Sequence, residues 1–389
     1  MREFYVGIMS GTSMDGIDLA LVSFAEPFHM ELIDHREIPF DGPVRHQLLD
    51  LIRADQVPQK TVVAAECLLG ELFADAVTAF LCDAQVPAET IRAIGFHGIT
   101  LHHLPVPAPA LDGYGRGTWQ IGNPFVLAQK TGIPVVFDFR RADMALGGQG
   151  APLAPFLDHL AFRDEYERRI LLNLGGIANL SFLDPQRTEV LAFDAGPANM
   201  VCDHLMQFHP DQPGLFDPEG QVAARGTVIP ALLAEALAHP YFRQKPPKST
   251  GREDFGASFC ERFLNWQEAY IDDLVATAAE LTIVSVADAV SLCLTPPARD
   301  GDRLIVGGGG AHNQTLMQGL ARRLPHVTVT TTQPYGIPPD AKEAMLMASL
   351  AWAHVHGVPG NLPEVTGARA SAVLGAATPG TFRSSSGTH

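Results

Sequence analysis

Seven residues near the start of the chain, Ser10-Gly11-Thr12-Ser13-Met14-Asp15-Gly16, combine glycines with three hydroxyls and a carboxylate. Glycine lets a chain turn with positive φ and lets backbone N–H groups close on an anion. The hydroxyls add donors for phosphate oxygens, and Asp15 and Asp18 suit the hydration shell of Mg2+. An ordinary hairpin turn is the plain alternative for so short a run. A second glycine tip, Asn173-Leu174-Gly175-Gly176, moves the balance toward phosphate, because two facing tips would grip a triphosphate from both sides. A third segment, Val306-Gly307-Gly308-Gly309-Gly310-Ala311-His312-Asn313, has four consecutive glycines where a strand-to-helix turn needs one or two. So bare a stretch offers a platform on which a flat ring or a ribose can lie against backbone.

Two carboxylates complete the set. Asp194 follows the apolar run Val190–Phe193 and precedes Ala195-Gly196-Pro197-Ala198-Asn199. A carboxylate at a strand's C-terminal end lies where α/β sheets present ligands, and it can take a proton from water or a hydroxyl. The competing role is an Asx turn or a helix N-cap. Glu343 sits in Asp340-Ala341-Lys342-Glu343, whose spacing matches a capping box, yet the rigid stretch Pro334–Pro339 can aim it into a cleft. The segments Phe137–Asp143 and Gly147–Gly150 bring Arg140, Asp143 and the Gln149 amide, groups that suit a polar sugar or, equally, a network between domains. His97, His102 and His103 match no standard zinc spacing, so no metal site built from side chains is expected, and His97 reads as a hydrogen-bonding residue.

Other nucleotide and hydrolase signatures are missing. There is no G-x-x-x-x-G-K-[ST], no G-x-G-x-x-G opening a helix, and Ser13 lacks the closing glycine of a nucleophile elbow. The 389 residues allow two domains of the usual ~150 or more. A net charge of −16 argues against a general partner among nucleic acids or anionic membranes. With 46% hydrophobic and 18% charged residues the composition is that of a compact protein. Cys67, Cys82, Cys202, Cys260 and Cys293 are scattered and read as small buried hydrophobes in a reducing compartment. No uninterrupted apolar run of spanning length and no signal peptide is seen, which makes the cytoplasm the expected location.

Strand-like runs at Phe4–Met9, Leu19–Phe24, Ala93–Phe96, Val135–Phe137, Ile170–Leu174, Leu180–Leu183, Val190–Phe193, Leu304–Val306 and Val327–Thr330 alternate with helical patterns. The helices are expected over residues 61–82, between Pro230 and Pro240, and after Asp340. That alternation predicts an α/β fold. Residues 104–117 read as an exposed Pro- and Gly-rich excursion, and 378–389 as a frayed tail. The basic stretch 241–255 reads as a mobile lid or, with equal weight, a solvated loop. Val6–Phe24 and Ile170–Leu183 share one layout, strand, glycine turn, strand, about 165 residues apart, which suggests a duplicated architecture.

These segments together resemble the anhydro-N-acetylmuramic acid kinase family of the sugar kinase/Hsp70/actin superfamily. The resemblance runs through GIMSGTSMDGID (7–18), GFHGITLHH (95–103), DFRRADMALGGQGAPLAP (138–155), NLGGIANLSF (173–182), FDAGPAN (193–199), PPKSTGREDF (246–255), VGGGGAHN (306–313) and DAKEAMLMA (340–348). It implies a duplicated, actin-like (ribonuclease H-like) two-domain fold with ATP in the interdomain cleft. Domain I would be 1–137 plus about 358–389, and domain II 138–357. It also implies ATP- and Mg2+-dependent opening and phosphorylation of 1,6-anhydro-N-acetylmuramic acid in cell-wall recycling, by a homodimer. Carried over to this chain, Gly11, Thr12, Ser13, Met14, Asp15, Gly16, Ile17 and Asp18 form the first phosphate loop, and Gly175 and Gly176 the second. Gly307, Gly308, Gly309, Gly310 and Asn313 form the adenosine platform. Asp194 is the general base, with Glu343 beside it at the sugar, and Asp15, His97, Arg140, Asp143 and Gln149 contact the sugar. Many superfamily relatives enter the first hairpin on an aspartate where this chain has Met9-Ser10, so Mg2+ placement differs. An ATP-independent glycosidase using Asp194 with Glu343, and an actin- or repressor-like sugar sensor, are the competing readings.

Overall fold

The computed structural model describes residues 2–379 except 12, 13, 15, 26–28, 55, 111, 112, 188, 247, 268, 295 and 296. The chain divides into two compact units, Met1–Leu157 with Ala341–His389, and Asp158–Asp340. In the first unit β1 (Glu3–Met9), β2 (Gly16–Ala25) and β3 (His29–Pro39) form an antiparallel meander. β4 (Ile91–Phe96) pairs parallel to β1. A separate hairpin of β5 (Ile99–Ala110) and β6 (Gly113–Ile121) follows, and β7 (Val135–Phe137) then joins parallel to β4. The short strand Ala376–Ala377 closes the β7 edge.

The second unit repeats this order. β8 (Arg169–Leu174), β9 (Ile177–Leu183) and β10 (Leu191–Pro197) form the meander, while β11 (Asp302–Gly307) lies parallel to β8 and β12 (Val327–Thr331) parallel to β11. Both sheets therefore run third-second-first-fourth-fifth strand, with the first two strands joined by a glycine-tipped turn. The repeat glimpsed in the sequence is a repeat of topology.

Strands sandwiched between helices must be apolar on both faces, which is why β1 reads as a continuous run. Val6 and Ile8 face a core shared with Phe73, Val77 and Phe80 of the helix Gln59–Asp83. On the other face the helix Lys342–Val355 lies directly on the strands. Gly7 and Gly95 are register partners, and a Cβ at either would come within 1.8 Å of the Ala344 carbonyl or 1.9 Å of the Met347 carbonyl. Further along, Trp352 stacks on Phe24 and His356 Nε2 reaches Glu3 Oε2 at 2.8 Å. The helix thus runs from the carboxyl end of β1 back to its amino end, and its first turn, with Glu343, sits where β1 and β4 finish.

The helix Ile271–Cys293 fills the core of the second unit. It alone among the described helices is long and apolar enough to cross a membrane, but it carries Glu280 and Asp288 and most of it is buried. Several expectations are revised. The unit borders fall at 157/158 and 340/341, not 137/138 and 357/358: the helix Lys342–Val355 lies on the first sheet, and Asp143 binds Asn361 and Thr366 of the same unit. Cys67 and Cys82 are exposed on the helix Gln59–Asp83, whereas Cys202, Cys260 and Cys293 are buried. The excursion at 104–117 belongs to the β5–β6 hairpin. Residues 380–389 of the expected tail lie outside the described residues.

Candidate active site

In the second unit the selected residues collect at the carboxyl ends of the parallel strands, where such sheets present ligands. The Gly175 carbonyl accepts from Asn199 N–H at 3.0 Å, and Gly176 O from Ala198 N–H at 2.9 Å and Met200 N–H at 3.2 Å. The turn is therefore stapled to the start of the helix Asn199–Met206, and Asn199 Nδ2 donates to Leu174 O at 3.1 Å. Gly307 ends β11 opposite Asn173. Gly308 has φ 76°, and a Cβ there would lie 2.6 Å from Asn173 Oδ1. A Cβ on Gly310 would lie 2.5 Å from Leu174 Cβ, whereas one on Gly309 would meet nothing within 4 Å. The outer glycines are pressed onto the β8–β9 turn and the exposed middle one leaves a cradle. Asn313 is buried, and its Oδ1 accepts from Leu316 N–H at 3.0 Å, capping the helix Gln314–Arg323.

Asp194 stands in β10 where the ladder with β9 shifts register, a bulge that re-aims side chains. Its Oδ1 accepts from Asn179 Nδ2 and its Oδ2 from Thr250 N–H at 2.9 Å. Its own N–H donates to Lys248 O at 3.0 Å, and its carbonyl accepts from Tyr241 Oη at 2.7 Å. The Lys248 ammonium sits 4.4 Å from the Tyr241 ring centroid. Burial pushes the Asp194 carboxyl above the usual range, against the donors Thr250 and Asn179; Glu253 adds to the rise and Lys248 opposes it. Asp194 is no helix cap, since the following helix begins after Ala198 without a side-chain cap. The basic stretch is neither simply a lid nor simply solvated: Arg243, Lys245 and Arg252 are exposed, while Lys248 and Thr250 clasp Asp194.

The first unit gathers a different set at the ends of β1, β4 and β7. Met9 pairs with Asp18 across the first turn, and Ser10 Oγ donates to Gly16 O at 2.9 Å. Met14 is buried with φ 54°, its N–H donating to Gly11 O at 3.1 Å and its carbonyl accepting from Arg45 Nε at 3.0 Å. Ile17 packs in the core, and Thr12, Ser13 and Asp15 lie outside the described residues. His97, buried just past β4, lies 3.0 Å through Nδ1 from Gly98 O, so that nitrogen donates and Nε2 accepts from Arg140 Nε at 3.0 Å. Burial, helped by the Arg140 charge, drives the His97 pKa down to about 3, so the ring stays neutral. Burial lowers Arg140 to about 10, which leaves it a cation, and Glu343 opposes that fall. Arg140 also donates to Gly150 O at 2.8 Å. Glu343 is accessible to solvent yet ringed by protein, and loss of hydration raises its carboxyl pKa against the pull of Lys342 and Arg140.

The capping box does not form: the helix Lys342–Val355 has no side-chain cap, and the Asp340 carboxylate faces His312 Nε2 at 3.1 Å. Asp143 is placed differently from expectation. It is completely buried, accepting from Gly150 N–H at 2.8 Å, Asn361 Nδ2 at 2.8 Å and Thr366 Oγ1 at 2.6 Å. With both oxygens engaged by protein groups it ties the 147–150 loop to Asn361 and Thr366. The Gln149 side chain is exposed, its N–H held by Thr366 O at 2.8 Å. The sequence singles out no role for Asn179, Tyr241 or Thr250, and shows Lys248 only as one of the cations of the 241–255 stretch, although Asn179, Lys248 and Thr250 lie in the motifs NLGGIANLSF and PPKSTGREDF. Among the described residues no three His, Cys, Asp or Glu side chains form a metal-ligating group. A cavity of about 420 Å³ between the helices Gly42–Arg53 and Gln59–Asp83 has apolar walls and contains none of these residues.

A family model described as anhydro-N-acetylmuramic acid kinase matches residues 3–380. The Salinibacter ruber protein of that name is 44% identical over 383 residues, covering 96% of this chain and 96% of that one. The chain belongs to the anhydro-N-acetylmuramic acid kinase family. Another member, from Vibrio parahaemolyticus, is 43% identical over 96% of this chain and 98% of its own. Among solved structures, the activator of the 2-hydroxyisocaproyl-CoA dehydratase from Clostridium difficile aligns at TM-score 0.42 and 12% identity, over 91% of this chain and 96% of that one. Membership in the anhydro-N-acetylmuramic acid kinase family makes the chain a sugar kinase, a phosphotransferase with an alcohol group as acceptor.

Proposed function

We propose that the chain carries out the reaction its family is named for. It hydrolytically opens the 1,6-anhydro ring of 1,6-anhydro-N-acetylmuramic acid and phosphorylates the 6-oxygen with ATP, giving N-acetylmuramic acid 6-phosphate and ADP in cell-wall recycling. Asp194 takes a proton from the attacking water as its oxygen bonds to the anomeric carbon. The bond from that carbon to the bridging oxygen breaks, and the freed 6-oxygen accepts the γ-phosphoryl group. Arg140, steered by neutral His97, and Glu343 hold the sugar. The turn at Gly175–Gly176 and that at residues 11–18 cradle the phosphates, and Gly309 leaves room for the adenosine.

The observation that carries this reading is the setting of Asp194: a carboxylate fixed by Asn179 and Thr250 on a bulged strand, with its proton affinity raised by burial. Magnesium borne by the triphosphate would neutralise developing charge. Asp18 beside the first turn fits it, because such an ion takes one or two carboxylates with phosphate oxygens and water. The protein acts in the cytoplasm as a homodimer on this reading, and sedimentation tests the assembly.

Incubation with the anhydro sugar, ATP and Mg2+, followed by mass spectrometry, is the test. A sugar heavier by one water and one phosphoryl group, with equimolar ADP, is the expected result. Water gain without phosphate would replace the kinase with a glycosidase.

A further inference from the structure

Asp203 lies one helical turn after Asn199 on the half-exposed face of the helix Asn199–Met206, while Val201, Cys202, Leu205 and Met206 point into the core. That face borders the glycine platform, since a Cβ on Gly310 would approach Asn199 Nδ2 to 3.2 Å. A third wall comes from residues 217–223. Gly220 abuts Asn313 so closely that a Cβ would fall 2.1 Å from Asn313 Oδ1, and Thr315 Oγ1 donates to Gly220 O at 2.8 Å. Asp217 begins this wall and sits within electrostatic reach of Asp203. Both Asp217 oxygens are engaged by backbone, accepting from Val222 N–H at 2.8 Å and Ala223 N–H at 2.9 Å. The two carboxylates therefore do not make a cation site.

Asp203 differs from its neighbour. Among the described residues no donor hydrogen-bonds to its carboxylate and no cation pairs with it, although protein surrounds it. Burial and the Asp217 charge push it up to about 7. A carboxylate in such a place lacks hydrogen-bond donors, and a vicinal diol presents two hydroxyls at the right spacing for its two oxygens.

We propose that the Asp203 carboxylate accepts hydrogen bonds from the ribose hydroxyls of the nucleotide lying on the Gly308–Gly310 platform. The proposal rests on the kinase reading above and adds a residue that selects ribonucleotides. Asn199, whose amide braces Leu174 between the glycine turn and the platform, marks the stretch along which the ribose would run.

The test is calorimetric binding of ATP and of 2′,3′-dideoxy-ATP to the full chain, wild type, Asp203→Ala and Asp203→Asn. Losing hydrogen bonds to a charged acceptor should make dideoxy-ATP bind wild type about tenfold or more weakly than ATP. In Asp203→Ala the two nucleotides should bind alike, at the weaker level, and the isosteric Asp203→Asn should show an intermediate ratio. Equal binding of both nucleotides to wild type, or a wild-type ratio that survives in both variants, overturns the proposal while leaving the kinase reading intact. Failure of ATP itself to bind wild type would overturn both.

Discussion

A carboxylate works as a base near neutrality when it is ionised and yet keeps a strong affinity for the proton, and Asp194, the base in the proposed reaction, meets these demands from opposite directions. Burial raises its pKa, and the donors Asn179 and Thr250 restrain the rise. Asp194→Asn should lower kcat by about 10²–10⁴-fold, the usual worth of a positioned base, while calorimetry finds ATP affinity retained. A variant with near-wild-type turnover would remove Asp194 from that role. The base acts deprotonated, so a raised pKa makes activity fall, as pH drops, at a higher pH than an exposed aspartate would dictate. His97 should contribute no step to the profile across ~pH 5–8, because it is already neutral there. His97→Ala should raise the sugar KM by about tenfold through misplacement of Arg140, with the shape of the pH profile kept. Residue types and local motifs make Asp194, His97 and Arg140 visible in the sequence. The contact joining His97 to Arg140 is not, and neither is the burial of Asp143, because both depend on which strands become neighbours.

Within each unit, elements position such side chains chiefly through close backbone approach. The helix Lys342–Val355 rests in the notch formed by Gly7 and Gly95, and its first turn carries Glu343. Gly95→Ala forces a Cβ into a helix carbonyl, so a loss of about 3 kcal/mol is expected, seen as a lower Tm, with a higher sugar KM as Glu343 shifts. The platform offers a cleaner contrast. Gly309→Val meets no protein atom within 4 Å of its Cβ and should keep Tm while weakening ATP binding by about tenfold or more. Gly310→Val collides with Leu174 and should lower Tm as well. Unchanged nucleotide affinity in Gly309→Val would contradict the platform. The central strands were legible because burial on both faces makes them unbroken apolar runs. β3 is hard to read because its exposure alternates and the charges of Glu31, Asp34, Arg36 and Glu37 interrupt its apolar pattern, as in an edge strand. The β5–β6 hairpin was hidden by Pro105, Pro107 and Pro109, which resemble loop punctuation.

At the scale of the molecule, the weak repeat in the sequence corresponds to two sheets that share the order of five strands, whereas the unit borders cannot be read from composition. The border near 340 is invisible because the chain passes from one unit to the other within the short turn Pro339–Ala341, just before the helix beginning at Lys342. The second unit is one uninterrupted segment with its own core, so a fragment of residues 158–340 should unfold cooperatively in thermal melting monitored by circular dichroism. The first unit is split, and its later segment is structural over residues 341–379. The helix Lys342–Val355 covers β1 and β4, Asn361 and Thr366 satisfy Asp143, and Thr378 Oγ1 accepts from Val135 N–H at 3.1 Å. During synthesis the ribosome therefore delivers the strands β1 to β4 and β7 of this sheet long before the helix that roofs it. While residues 158–340 emerge and fold, the notch at Gly7 and Gly95 lies open, and the nascent chain shows chaperones and proteases an unroofed apolar sheet. A chain arrested after residue 340 should accordingly be cut first within residues 1–157, and release of the remainder should abolish that sensitivity.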